Sequence, residues 1–180
     1  MRAEVPGSGA VSIRRAAGDA ATVEALADVT IDCVEGGASI GFMAPLSRER
    51  VVAFWKGVLD AAGRGERIVL VAEHPGLGGI VGTVQLHFAT PENQPHRADV
   101  AKMQVHRRAR RLGIGAALMV AIEKEARQAG RTLLVLDTVT GSDAERLYSR
   151  LGWKRCGEIP DYALWPGGGL CSTTVFYRRL

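Results

Sequence analysis

Four arginines crowd into residues 107–111, where Arg107, Arg108, Arg110 and Arg111 precede Leu112-Gly113-Ile114-Gly115-Ala116 and an alanine-rich segment. Guanidinium groups make charge-assisted hydrogen bonds with phosphate oxygens. Glycines let those oxygens reach backbone N–H groups, because no Cβ stands in the way. The chemistry on offer is anion binding, and the anion could belong to nucleic acid, a membrane surface or one small phosphorylated molecule. A second set consists of Asp99, Asp137 and Tyr148, residue types that hold and move protons.

The elements around the arginines decide between those partners. Before them, "ADVAKMQV" alternates as a strand does, which places Ala101, Met103 and Val105 on one side. After them, Ile114, Leu118, Ile122 and Ala126 recur every four residues, joined by Ala121 and Ala129, so a helix begins at the glycines and ends at Gly130. A helix N-terminus carries unpaired N–H groups and partial positive charge, which suits a phosphate. The cluster therefore reads as a pyrophosphate cradle. A nucleic-acid module spreads its basic residues along a face or groove, whereas here the net charge is only +4, and no aromatic platform lies near the arginines.

The rest of the chain supplies a frame for the cradle. Its 180 residues suffice for one domain spanning 1–180, with residues 1–10 as a flexible tail. "VSIRRA" reads as a first strand. Asp19 caps a helix with Val23, Leu26, Ala27, Ile31 and Val34 at helical spacing, and Ser47 opens a second with Val51, Trp55, Val58, Leu59 and Ala62. Residues 67–88 read as a hairpin with one buried face, Val84, Leu86 and Phe88 inside and Thr83, Gln85 and His87 outside. "TLLVL" is a continuous apolar run, expected of a strand covered on both faces. Ser142-x-x-Glu145 forms a capping box for a helix that points Ala144, Leu147, Tyr148 and Leu151 inward, and strand-like runs near "WKRCGEI" and "STTVFYRRL" follow.

Composition excludes several classes. Apolar content of 47%, charged content of 23% and mean hydropathy of +0.04 are ordinary globular values. Three scattered cysteines and four scattered histidines offer neither a disulfide framework nor zinc spacing, so no metal is expected. No apolar run is long enough to span a membrane, and the N-terminus has no signal-peptide core, so the expected compartment is a reducing cytoplasm.

Arg110-x-x-Gly113-x-Gly115, followed by Ala144-x-x-x-Tyr148-x-x-x-Gly152-Trp153, resembles the signatures of the GCN5-related N-acetyltransferases, the GNAT superfamily. The order of helix pair, hairpin, cradle and C-terminal strands is similar too. Arg107 stands where a proline is frequent and Arg111 where a glycine is frequent, and neither change removes an N–H donor. "EGGASIGFMAPL", "RADVAKMQV", "LDTVTGS" and "IPDYALWPGGG" look like the tabtoxin-resistance branch, from about Glu35 to the C-terminus. That branch acetylates the amine of a β-lactam toxin.

The resemblance implies a mixed α/β fold, a central mixed sheet with helices on both faces, and acetyl-CoA as cosubstrate. Cofactor contacts would come from Met103, Gln104 and Val105 along the strand, from Arg110, Arg111, Leu112, Gly113, Ile114, Gly115 and Ala116 at the cradle, and from Thr138, Ser142 and Ala144 opposite. Tyr148 would protonate the leaving sulfur, although a tyrosine on the apolar face of a helix is also an ordinary core residue. Asp99 and Asp137 would accept the amine's proton or bind its ammonium group, and the residues leave open which. A free aspartate, with a pKa of about 3.9, is a poor base for such an amine, so a water relay or a raised pKa is needed. Glu35, Phe42 and Met43 would contact the substrate from the glycine-rich lip. The partner is then a small amino-acid-like amine, with no nucleic acid or membrane and a homodimer left open. Acetylation of a protein or peptide is the alternative, and a non-catalytic acetyl-CoA-binding module is a further one that has no use for Tyr148 or the carboxylates.

Overall fold

Residues 10–180 are described by a computed structural model, so most of the expected tail lies outside the described residues. Chain order gives β1 (Ser12–Arg15), α1 (Ala20–Glu35), α2 (Arg48–Gly63), β2 (Arg67–Glu73), β3 (Ile80–Phe88), β4 (Arg97–Val105), α3 (Ile114–Gln128), β5 (Leu133–Val139), α4 (Asp143–Arg150), β6 (Lys154–Leu164) and β7 (Leu170–Arg179). All seven strands join one sheet in the order β1-β2-β3-β4-β5-β7-β6. Every neighbouring pair is antiparallel except β4 and β5, which run parallel.

Local signals set the helices. Asp19 accepts a hydrogen bond from the Thr22 backbone N–H at 2.8 Å, and Ser47 does the same for Arg50 at 3.3 Å. Each helix buries one apolar face. α1 and α2 pack over one side of the sheet with Leu26, Val29, Val51, Trp55, Val69 and Val71. On the other side, α3 and α4 enclose Leu70, Val84, Leu86, Ile114, Leu118, Ile122, Leu134 and Phe176. Burying one such leucine or isoleucine contributes about 1.5–3 kcal/mol. Within α1 and α2 the periodicity errs by one position or by degree: Ile31 is only half-buried, and Ala61 rather than Ala62 is fully covered.

Three strand expectations need correction. β3 is buried on both faces, because α1 and α2 cover the Thr83 and Gln85 side. Both polar residues find partners there: Thr83 donates to the Leu70 carbonyl at 2.8 Å, and the Gln85 side-chain oxygen accepts from Arg67 at 3.3 Å. Conversely, β5 is covered on one face only. Leu134 and Leu136 are buried, Leu133 and Val135 half-buried, and Asp137 exposed, since α1 and α2 stop over β4. In β4, Ala101 does not share a side with Met103 and Val105. Gln85 pairs with Ala101 and Thr83 with Gln104, so β4 carries one extra residue, and Lys102 bulges there with φ at 51°. Before the bulge Ala98 and Val100 face α3; after it Met103 and Val105 do.

Candidate active site

β4 and β5 pair only from Arg97–Leu133 to Asp99–Val135 and then separate. Their divergence opens a cleft of about 1060 Å³, bounded by the free edge of β4, the start of α3, the inner face of α4, the 36–41 lip and the β6–β7 end. The lip is tied down from afar. Ser39 donates to the Leu164 carbonyl at 2.8 Å, and the Ala44 N–H to the Pro166 carbonyl at 2.9 Å. Behind β4 runs a buried chain of hydrogen bonds. The indole N–H of fully buried Trp55 donates to Thr30 Oγ1, and Thr30 donates to Gln104 Oε1, both at 2.9 Å. That chain anchors the strand just beyond the bulge, where Lys102 and Met103 have no β3 partner and β5 no longer pairs with the cleft-side edge of β4.

At one end of the cleft, none of the N–H groups of residues 111–116 meets a backbone acceptor. Gly113 sits before α3 at φ 76°, a left-handed conformation that turns the chain sharply into the helix. Arg111 shares that region at φ 63°, where a glycine would be free of strain. Of the four arginines, Arg110 and Arg111 line the cleft. Arg107 is spent on Asp32 at 2.9 Å and Arg108 on the Gly78 carbonyl at 3.2 Å. Asp32 in turn sits below its usual range: burial opposes this, and the Arg107 backbone and guanidinium with His106 override it. Gly115 matters for packing, since a Cβ there would lie 3.1 Å from Leu147 of α4. Every proposed cofactor contact lines the cleft except Leu112, whose side chain is exposed.

Across the cleft, Tyr148 is 5% exposed and packs on Trp153 and Phe176 with ring centroids 6.1 Å apart in each case. Burial, reinforced by the negative charge of Asp137, pushes its phenol well above the usual value, so the hydroxyl stays protonated. The capping box is half as expected. Ser142 Oγ accepts from the Glu145 N–H at 3.1 Å, but Glu145 reaches Gly141 and Thr174 instead of the Ser142 N–H. Asp137 lines the cleft and accepts from Thr173 Oγ1 at 2.9 Å.

Other predicted residues stay out of the cleft lining. Asp99 pairs with Arg97 at 2.6 Å. Glu35 is exposed at the end of α1, 3.6 Å from Arg107. Phe42 is buried edge-on against Phe54 at 5.2 Å, and Met43 faces solvent. Residues that the sequence did not single out take their place: Ser39, Ile40, Lys102, Tyr162, Trp165 and Cys171. A lysine between Ala101 and Met103 in a strand whose neighbouring positions alternate was the one available signal among them. Among the described residues, no group of three His, Cys, Asp or Glu could hold a metal, and no helix is long and apolar enough to cross a membrane.

The family model for acetyltransferase (GNAT) domains matches residues 65–155, from β2 through the start of β6 and so across the whole cradle. The chain belongs to the GNAT acetyltransferases. An uncharacterized N-acetyltransferase from the hisH-hisA intergenic region of Azospirillum brasilense is 38% identical over 114 residues, which cover 62% of this chain and 65% of that protein. The chain thus spans slightly under two thirds of that relative's length. Among solved structures, the ribosomal-protein-alanine N-acetyltransferase of Brucella melitensis is 25% identical with a TM-score of 0.79, over 94% of this chain and 99% of that one. A putative acetyltransferase of Salmonella typhimurium, solved with its cofactor acetyl-CoA, is 20% identical with a TM-score of 0.75, over 94% of each chain. The GNAT fold uses acetyl-CoA, and the unpaired N–H groups beside Arg110 and Arg111 are the donor set a pyrophosphate requires.

A test of the cradle follows from Gly115. Gly115→Val would crowd Leu147 and push α4 from α3, an overpacking cost of about 1–3 kcal/mol. Calorimetry should show acetyl-CoA affinity falling by about tenfold or more. Unchanged affinity in both this variant and Gly113→Val would place the pyrophosphate elsewhere.

Proposed function

We propose that the protein transfers an acetyl group from acetyl-CoA to the primary amine of a small amino-acid-like molecule, by direct attack and without a covalent enzyme intermediate. A β-lactam amino-acid toxin or antibiotic, the resemblance of the sequence to the tabtoxin-resistance branch being the reason, is the sharpest candidate. The observation that carries the reading is a protonated tyrosine and a carboxylate in one cleft with the cradle: Tyr148 and Asp137 line it opposite the start of α3. Acetyl-CoA supplies an activated acyl carbon joined to a good leaving thiolate. Asp137 attracts the acceptor's ammonium group and receives its proton through water. As the C–N bond forms and the C–S bond breaks, Tyr148 gives its proton to the departing sulfur. The free edge of β4, at Met103 to Val105, pairs with the extended arm of the cosubstrate as one strand pairs with another. Asp99, engaged by Arg97, has no direct part in this scheme.

The lip and the β6–β7 end close the acceptor side, which favours a compact substrate. A protein N-terminus is the second reading, supported by the name of the Brucella neighbour. An acceptor screen that follows CoA thiol release separates the two. Amino acids and amino-acid-like antibiotics should react, and polyamines and lysine or N-terminal peptides should not. Efficient acetylation of peptides with small amines inert would reverse the assignment while leaving fold and cofactor untouched.

A further inference from the structure

Lys102 is a cation that the scheme above leaves unused. It occupies the β4 bulge at φ 51°, a conformation that an L-residue adopts at a cost. Its ammonium group donates to the Ile40 carbonyl of the lip and lies 5.9 Å from the Phe42 ring centre and 6.0 Å from that of Phe54. Among the described residues no carboxylate comes within ion-pair distance of it. An ammonium group has three donors, and Ile40 takes one. Burial pulls its pKa down, and Asp137, the one charge that acts on it, pulls the other way.

The surroundings make room for this side chain. Gly41 adopts φ 88°, and a Cβ there would stand 2.9 Å from Lys102 Nζ, so only glycine leaves the ammonium where it is. The phosphate end has Arg110, Arg111 and the α3 N-terminus of its own and makes no call on Lys102. A partly buried charge without a counter-ion is costly unless an occupant supplies one. Asp137 on β5 lines the same cleft but forms no ion pair with Lys102, so each charge is left to meet an occupant.

Resting on the acetyltransferase reading, we propose that Lys102 binds a carboxylate of the acceptor, so that the substrates are amino acids and not simple amines. The aspartate faces the ammonium end of the substrate and the lysine its carboxylate end. Polyamines and other purely cationic amines are then excluded by charge, because they would meet Lys102 without an anion to offer.

The amino acid turned over fastest in the acceptor screen is compared with its own carboxamide. The wild type should favour the carboxylate by about tenfold or more in kcat/KM, the effect of one charge-assisted hydrogen bond. Lys102→Met should erase that preference through KM, with kcat for the carboxamide and acetyl-CoA affinity unchanged. Equal use of both acceptors by the wild type would overturn the proposal, as would an equal loss on both in the variant. If acetyl-CoA binds but no amine releases thiol, the transferase reading fails. Calorimetric titration of the CoA-loaded protein with the free amino acids of the screen and their carboxamides then decides the role of Lys102 separately. Carboxylate-dependent binding that Lys102→Met abolishes upholds it, and binding that ignores the carboxylate, or none, overturns it.

Discussion

Tyr148→Phe should lower kcat by about 100-fold to 10,000-fold, the usual contribution of a positioned general acid, and leave acetyl-CoA affinity within about twofold. The ring itself is core: it packs on Trp153 and Phe176, and phenylalanine keeps those contacts. What the variant loses is one hydroxyl that opens on the cleft. A proton donor to sulfur works only as the C–S bond breaks, so its removal belongs in kcat and not in ground-state binding. Burial and Asp137 hold the phenol above its ordinary value of 10.0. The wild-type rate should therefore not fall as pH passes that value on account of Tyr148. An unaltered kcat in the variant at every pH would reduce the tyrosine to packing.

Much of this arrangement is legible in the sequence because it is local. Caps at Asp19, Ser47 and Ser142, the four-residue apolar spacing of α3 and the glycines before it are all read within one turn of the chain. What escapes is long-range. A single bulged residue at Lys102 inverts the faces of β4 after it, and alternation cannot reveal an insertion whose partner strand lies elsewhere. Thr83 and Gln85 look solvent-facing by type, yet helices from the other end of the unit bury them with partners. Phe42 and Glu35 sit in the segment that forms the lip, but Phe54 draws the first into the α2 side and Arg107 engages the second. Tyr162, Trp165 and Cys171 reach the cleft only because β6 and β7 return beside β5, which no local pattern announces. Gly113 and Gly115 were legible as a pair but not in their separate tasks, since a positive φ and a contact with α4 are tertiary facts.

The two aspartates that the sequence leaves equivalent should separate clearly in kinetics. Asp137→Asn should cut kcat/KM for the amine by about 100-fold or more and flatten the rise of rate with pH, because the cleft loses its proton acceptor and the charge that attracts an ammonium group. Asparagine preserves the shape and can still accept from Thr173, so the fold and the acetyl-CoA affinity should hold. Asp99→Asn removes one side of a part-exposed pair with Arg97, worth about 0–1 kcal/mol of stability. It should leave kcat/KM within about twofold. His87, across the strand pair from Asp99, is pushed down to about 4, chiefly by burial and next by Arg67. It does not line the cleft and lies on β3, beyond β4, so it is out of reach of the acceptor's proton and does not take over that role. Wild-type profiles in both variants would remove the carboxylates from the mechanism. A large loss in Asp99→Asn with Asp137→Asn unaffected would mean that the amine enters from the Arg97 side of the sheet. The structure argues against that entry: β4 and β5 are still paired at Asp99, and their strands part only beyond it.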